Sequence, residues 1–190
     1  MRRKITAAIA AVSQAFTPDV ASREFQQVHA PAAGESMRDL EWMEVVEQRG
    51  YIRGFDVRTG KRLWIFHTIP MKGEFGYETW NPDAHAYTGN TGVWAQMSAD
   101  PELGLVYVPV EMPTGDYYGG NRPGDNLFAD SLVALDVKTG KRKWHFQTVH
   151  HDVWDWDLAC APILFDMTLN GRTVKAIAQP TKHAFLFVFN

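Results

Sequence analysis

Residues 54–64 read GFDVRTGKRLW and residues 134–144 read ALDVKTGKRKW, with seven of eleven positions identical. The start-to-start offset is 134 − 54 = 80 residues. That is longer than a solenoid repeat, and it suits a four-stranded propeller blade that carries long insertions. Each copy also reads physically as a β-hairpin. Residues 131–137 alternate into one strand, 138–141 turn with Gly140 at a position that favours positive φ, and 142–148 return. On the returning strand Trp144, Phe146 and Thr148 share a face, as Trp64, Phe66 and Thr68 do in the first copy. Such a stripe calls for a neighbouring sheet, so Trp64 and Trp144 are expected to dock one blade on the next.

Between the copies, 93–98 and 105–110 are β-rich runs around a turn-like segment at 99–104. They are predicted as strands A and B of a complete blade spanning 93–148, with 131–137 as C and 142–148 as D. Residues 51–68 then form C and D of the blade before, and 161–190 form A, B and C of the blade after. A third tryptophan motif would begin at Asn190. With only two to three blades in reach, the chain reads as part of a larger all-β propeller. Residues 1–49 are unassigned and 50–190 form the partial propeller.

In this strand order the A–B and C–D turns are short and lie at one end. The long connections, 69–92, 111–130 and 149–160, crowd the other. Long irregular loops in a compact domain are typically functional or disordered, and the presence of Trp80, Tyr117, Tyr118, Trp154 and Trp156 speaks against disorder. The candidate site is therefore placed on that face. Its densest cluster is His150-His151-Asp152-Val153-Trp154-Asp155-Trp156-Asp157. There a carboxylate between tryptophans, held ionised by a nearby cation, could act as a general base. By spacing alone the same residues could form a metal cluster or a loop-packing network. Trp94 opens strand A near the axis. Its ring could be a floor for a flat cofactor or could fill the tapering core.

The formal net charge of −3 and scattered Lys and Arg make nucleic acid a poor partner. Cys160, the one cysteine, permits no internal disulfide. No apolar run approaches the ~20 residues of a membrane span, so the chain is expected to be soluble or peripheral. Arg2, Arg3 and Lys4 precede the apolar run 5–12, with Val20-Ala21-Ser22 as a possible cleavage point. This is the outline of an export leader, although an amphipathic N-terminal helix fits the run as well.

The repeated A/G-x-D-x-x-T-G-K-x-x-W pattern resembles the tryptophan-docking motif of the eight-bladed quinoprotein dehydrogenases, enzymes that use pyrroloquinoline quinone (PQQ) and calcium. Two further motifs carry the resemblance over residues 50–190. Arg122-Pro123-Gly124-Asp125-Asn126 is similar to the family's R-P-G-D-N, and His151-Asp152-Val153-Trp154-Asp155 to its H-D-x-W-D. The stretch 148–155 leans toward the glucose and membrane-bound polyol branch rather than the methanol dehydrogenases. The resemblance implies that Asp155 is the catalytic base beside a Ca²⁺ ion and that Trp94 stacks under the quinone. It also implies oxidation of a sugar or alcohol, a quinone or cytochrome as electron acceptor, a periplasmic location and possible peripheral membrane association of the parent protein. One departure stands out. The family often has Gly-Asn after strand B, with the Asn as a calcium ligand, and this chain has Glu111-Met112. A thioether is a poor ligand for a hard cation, so Glu111 is the candidate replacement. Alternatives from other classes are a non-catalytic envelope scaffold built on the same repeat and a metal hydrolase using His150, His151 and Asp152. This fragment alone is expected to be inactive.

Overall fold

A computed structural model describes residues 9–11 (backbone only), 50–86, 88–115 and 117–190. The leader-like features at 2–4 and 20–22 lie outside the described residues. Within the apolar run, Ile9–Ala11 forms a strand, β1, on the edge of the first hairpin. That hairpin is β2 (Tyr51–Phe55) and β3 (Arg62–His67). The central sheet has four antiparallel strands in sequence order, β4 (Ser98–Asp100), β5 (Leu105–Pro109), β6 (Ser131–Asp136) and β7 (Arg142–Gln147). The third sheet contains β8 (Ile163–Leu169), β9 (Arg172–Pro180) and β10 (Leu186–Phe189), ordered β10-β9-β8. Among the described residues the first sheet thus has three strands, β1-β2-β3, with β1 coming from the segment left unassigned by the sequence.

The identities between the two copies have local causes. Asp56 Oδ1 accepts hydrogen bonds from the Arg58 and Thr59 amides and from the Thr59 hydroxyl at 2.8–3.1 Å. Asp136 Oδ1 does the same with Lys138 and Thr139 at 3.0–3.1 Å. Each turn closes on a glycine amide, Gly60 or Gly140, bonded back to the Asp carbonyl at 2.8 Å, with φ of 69° and 68°. The Asp supplies the acceptor, the Thr the donors and the Gly the left-handed backbone.

Trp64 explains the rest of the motif. Its ring lies across Gly54 of its own blade, and a Cβ on Gly140 of the next blade would stand 2.5 Å from it. Its Nε1–H donates to the Val137 carbonyl at 3.0 Å, so the indole joins two blades while remaining only 8% exposed. Trp144 is half-buried, packing on Tyr107 and Phe189 with ring centroids 5.9 and 5.5 Å away. The main core, Ile52, Trp64, Val93, Val106, Val108, Val110, Leu127, Phe128, Val133 and Leu135, fills the space between first and central blades.

The inner strand departs from expectation. Strand A was placed at 93–98, but regular pairing is confined to Ser98–Asp100 opposite Leu105–Tyr107. Pairing resumes further along, where Glu111 N donates to Gly92 O at 3.0 Å and Thr91 N to Met112 O at 3.2 Å. Five residues, 93–97, therefore face only three, 108–110, and the surplus bulges out of the ladder. Pro109, in the facing stretch, has no N–H to offer. The bulge leaves Trp94 51% exposed rather than packed in the core.

Candidate functional site

The long loops meet at one end of the blades and are knit by the Arg-Pro-Gly-Asp-Asn segment. Buried Arg122 donates to Asn126 Oδ1 at 2.9 Å and to the carbonyls of Thr114, Gly115 and Asp152. Asn126 returns a bond from Nδ2 to Arg122 O at 2.8 Å. Gly124, at φ 110°, is pressed against the Thr79 carbonyl, so any side chain there would collide with backbone. This motif is a clasp that ties the 111–130 loop to residue 79 on one side and to the 149–160 crossover on the other.

Within that crossover Asp152 is a scaffold residue. Its two carboxylate oxygens accept the Trp154 and Trp156 amides at 2.8 and 2.6 Å. The tight loop so formed holds Asp155 in the left-handed region, φ 60°, and presents its half-open carboxylate to the loop face. His151 Nδ1 lies 2.9 Å from the Gly124 carbonyl, and His150 Nδ1 lies 3.5 Å from Asp125 Oδ2. The His150, His151 and Asp152 cluster imagined for a hydrolase is thus dispersed into loop packing.

Trp94 and Asp155 are brought together through shared partners. Lys182, in the turn between β9 and β10, donates to Asp155 Oδ2 and Asp157 Oδ2, both at 3.0 Å. Its ammonium stands 5.7 Å from the centroid of the Trp94 ring. Trp94 Nε1–H donates to Asp157 Oδ2 at 3.2 Å, and Asp157 Oδ1 accepts the Met112 amide at 2.8 Å. Burial works against the charge on Lys182, yet the hydrogen bonds it donates to Asp155 and Asp157 outweigh it and hold its pKa above the usual lysine value. The result is an exposed aromatic ring, a cation over it and a carboxylate on that cation. Lys182 and Asp157 were not singled out from sequence. Asp157 lay inside the cluster that was flagged, whereas nothing near Lys182 signals that the chain brings it back 27 residues to Asp155.

Glu111, the candidate replacement ligand that the family resemblance suggests, sits just past the end of β5, beside the inner strand. One of its carboxylate oxygens accepts the Gly92 amide at 2.8 Å, so that oxygen serves the inner strand. Its peptide bond with Met112 links two acidic residues, because Glu111 O accepts Asp130 N at 3.4 Å while Met112 N donates to Asp157. Asp130 is fully buried and neither carboxylate oxygen has a hydrogen-bond partner. Burial first, then the carboxylates of Asp152 and Asp157, push its pKa up to about 9, against the pull of Arg122.

The donors around this point are carboxylate oxygens, the chemistry of a hard cation such as calcium. Asp130, orphaned among three further aspartates, marks the place as short of positive charge. Among the described residues no three His, Cys, Asp or Glu side chains converge on one point. Trp94 offers a flat open ring of the kind that a planar aromatic cofactor requires.

Known proteins are similar to this chain in sequence and in fold. The family described as "PQQ: Glucose/ethanol/alcohol dehydrogenase, beta-propeller domain" matches residues 32–190. The quinoprotein glucose dehydrogenase of Escherichia coli is 43% identical over 146 residues, 76% of this chain and 18% of the relative. The glycerol dehydrogenase large subunit of Gluconobacter oxydans is 42% identical over 143 residues, 74% of this chain and 19% of the relative. Among solved structures, the quinohemoprotein alcohol dehydrogenase of Comamonas testosteroni superposes with a TM-score of 0.67 at 33% identity, covering 75% of this chain and 23% of that one. The chain spans about a fifth of the length of the relatives it matches. With the family model matching most of its length and relatives above 40% identity, the chain belongs to the PQQ-dependent glucose/ethanol/alcohol dehydrogenase family, within its β-propeller domain.

Proposed function

We propose that these residues supply the base and the cofactor floor of a dehydrogenase that oxidises a sugar or polyol by hydride transfer. The observation that carries this reading is the shared ammonium, with Lys182 bonded to Asp155 and standing over the Trp94 ring. Bound on that ring, PQQ with its calcium ion would supply the two-electron acceptor and the Lewis acid for the reaction.

Asp155 is the residue suited to take the hydroxyl proton, because its carboxylate is half open to the loop face and its position is fixed by the Asp152-capped loop. Lys182 holds that carboxylate in place through its ammonium, 3.0 Å from Asp155 Oδ2. Asp157 holds the edge of Trp94 through Nε1 and so fixes the tilt of the floor. Sugar or polyol rather than methanol is favoured by the 43% identity to a glucose dehydrogenase and the 42% identity to a glycerol dehydrogenase. The motif resemblance extends the proposal to a quinone or cytochrome as acceptor and a periplasmic location.

Titration of the chain with PQQ in the presence of Ca²⁺, followed by quenching of tryptophan fluorescence, tests the floor. Saturable quenching that is lost in Trp94→Ala supports it, and quenching unchanged in that variant would refute it. Dye reduction with glucose or glycerol tests the chemistry. The chain alone is expected to give none, since it spans about a fifth of its relatives. In a full-length relative carrying these residues, Asp155→Asn is expected to remove turnover and leave PQQ uptake intact.

A further inference from the structure

We infer that Asp157 is a positioning residue that ties the cofactor floor to the proton acceptor, holding the Trp94 ring through its N–H and Asp155 through a shared ammonium. The inference rests on the cofactor reading above. It goes past that reading in mounting the floor on the 149–160 crossover, which also carries Asp155, and not on the sheet.

The sheet does not set the ring. Residues 93–97 leave the ladder, so no strand partner fixes the backbone at Trp94. Val93 and Ala95 are buried and decide where the arc runs, while the indole between them stays half open. Its tilt is set by the N–H, which donates to Asp157 Oδ2 at 3.2 Å. The far end of the arc is tied in the same direction. Ser98 Oγ donates to Pro162 O at 2.5 Å, just beyond the crossover.

Asp157 is well placed to hold such a bond. Its neighbour Leu158 is fully buried with Tyr107, Leu132, Ala134 and Ile177, which anchors the backbone. Both carboxylate oxygens are engaged. Oδ1 accepts the Met112 amide at 2.8 Å, so the group does not rotate without breaking that bond. Oδ2 accepts Lys182 Nζ at 3.0 Å as well as the indole, and the same Nζ reaches Asp155 Oδ2 at 3.0 Å. Ring and ammonium thus meet at a single oxygen, and the ammonium carries the tie on to the acceptor. An asparagine at 157 would offer one acceptor oxygen to these donors. With that oxygen on Met112, its NH₂ would face the indole N–H and the ammonium. Turned round, it would abandon Met112.

The test begins on the whole chain without ligands, through the indole N–H resonance of Trp94, identified by its disappearance in Trp94→Phe. Asp157→Asn is expected to shift that resonance and to speed its exchange with solvent about fivefold, the loss of one hydrogen bond. An unmoved resonance would overturn the assignment. So would loss of the fold in Asp157→Asn, which would make the residue structural. PQQ uptake in the presence of Ca²⁺, measured by equilibrium dialysis, then reads the role. Asp157→Asn is expected to weaken it about three- to tenfold. In the Trp94→Phe background, which keeps an aromatic ring but has no N–H, the same change is expected to cost no more than about twofold. An equal cost in both backgrounds would overturn the assignment and leave the cofactor reading intact. If the resonance moves but the wild type takes up no PQQ, the cofactor reading fails and the positioning role with it, while the Trp94–Asp157 tie itself stands.

Discussion

Strand β6 is bounded by two aspartates that live under opposite conditions. Asp136, at the turn end, accepts three hydrogen bonds from Lys138 and Thr139. Burial opposes its charge, but the Thr139 hydroxyl and amide outweigh it and hold its pKa below the usual value. Asp130, at the loop end, accepts none, and its pKa is raised to about 9. At one end of the strand the carboxylate is held by neighbours in sequence. The other keeps an unsatisfied acid among distant ones. The blade is secured at its turns and keeps its charge imbalance at the loop end.

The turn end should carry the stability. Trp64→Ala removes the indole lodged between Gly54 and Gly140 and is expected to cost about 3–5 kcal/mol in urea unfolding. Trp144→Ala, at the half-buried second copy, should cost clearly less. Equal losses would mean that docking across the Gly140 turn adds nothing. Gly140→Ala drives a methyl into the Trp64 ring at a left-handed position and should cost about 2–4 kcal/mol. Gly60→Ala has the same backbone but open space around it, so about 1–2 kcal/mol is expected from strain alone.

The loop end should show the opposite sign. Relieving the orphaned acid with Asp130→Asn is expected to stabilise the metal-free chain at pH 8 by about 1–3 kcal/mol. The pH profile follows from linkage. A carboxyl whose pKa is raised on folding helps stability below about 3.8 and loses that contribution as pH rises toward about 9. Metal-free unfolding measured from pH 4 to 9 should therefore decline for the wild type and flatten in Asp130→Asn. Asp136 works in reverse, its contribution present above pH 3.8 and lost in acid. Asp136→Ala should cost about 0.5–1.5 kcal/mol at neutral pH and much less in strong acid, the smallest of these effects.

The same contrast separates what could be read from sequence and what could not. The turn end is written locally. Asp136, Thr139 and Gly140 are neighbours, so the repeat announces the turn, and Trp144 four residues on announces the docking face. The strands follow from that within a residue or two. The loop end is assembled from residues far apart. Lys182 meets Asp155 only because β9 and β10 reverse beside the axis, and no local pattern encodes that. Asp130 had a faint signal, an acid set between apolar runs in LFADSLVAL, but an acid before a strand usually reads as turn. The inner strand was drawn too long because β-rich composition at 93–98 does not reveal two residues too many for the facing strand.

That surplus gives the blade a kind of adjustable joint. Because 93–97 leave the ladder and rejoin it at Gly92, the pairing on either side does not depend on how many residues lie between. Lineages could lengthen or shorten this arc without moving β5 or β6, and each change would lift, lower or turn the ring at 94. The floor of the site can be retuned by evolution as an independent part, while the walls around it stay where the tryptophan hooks have set them.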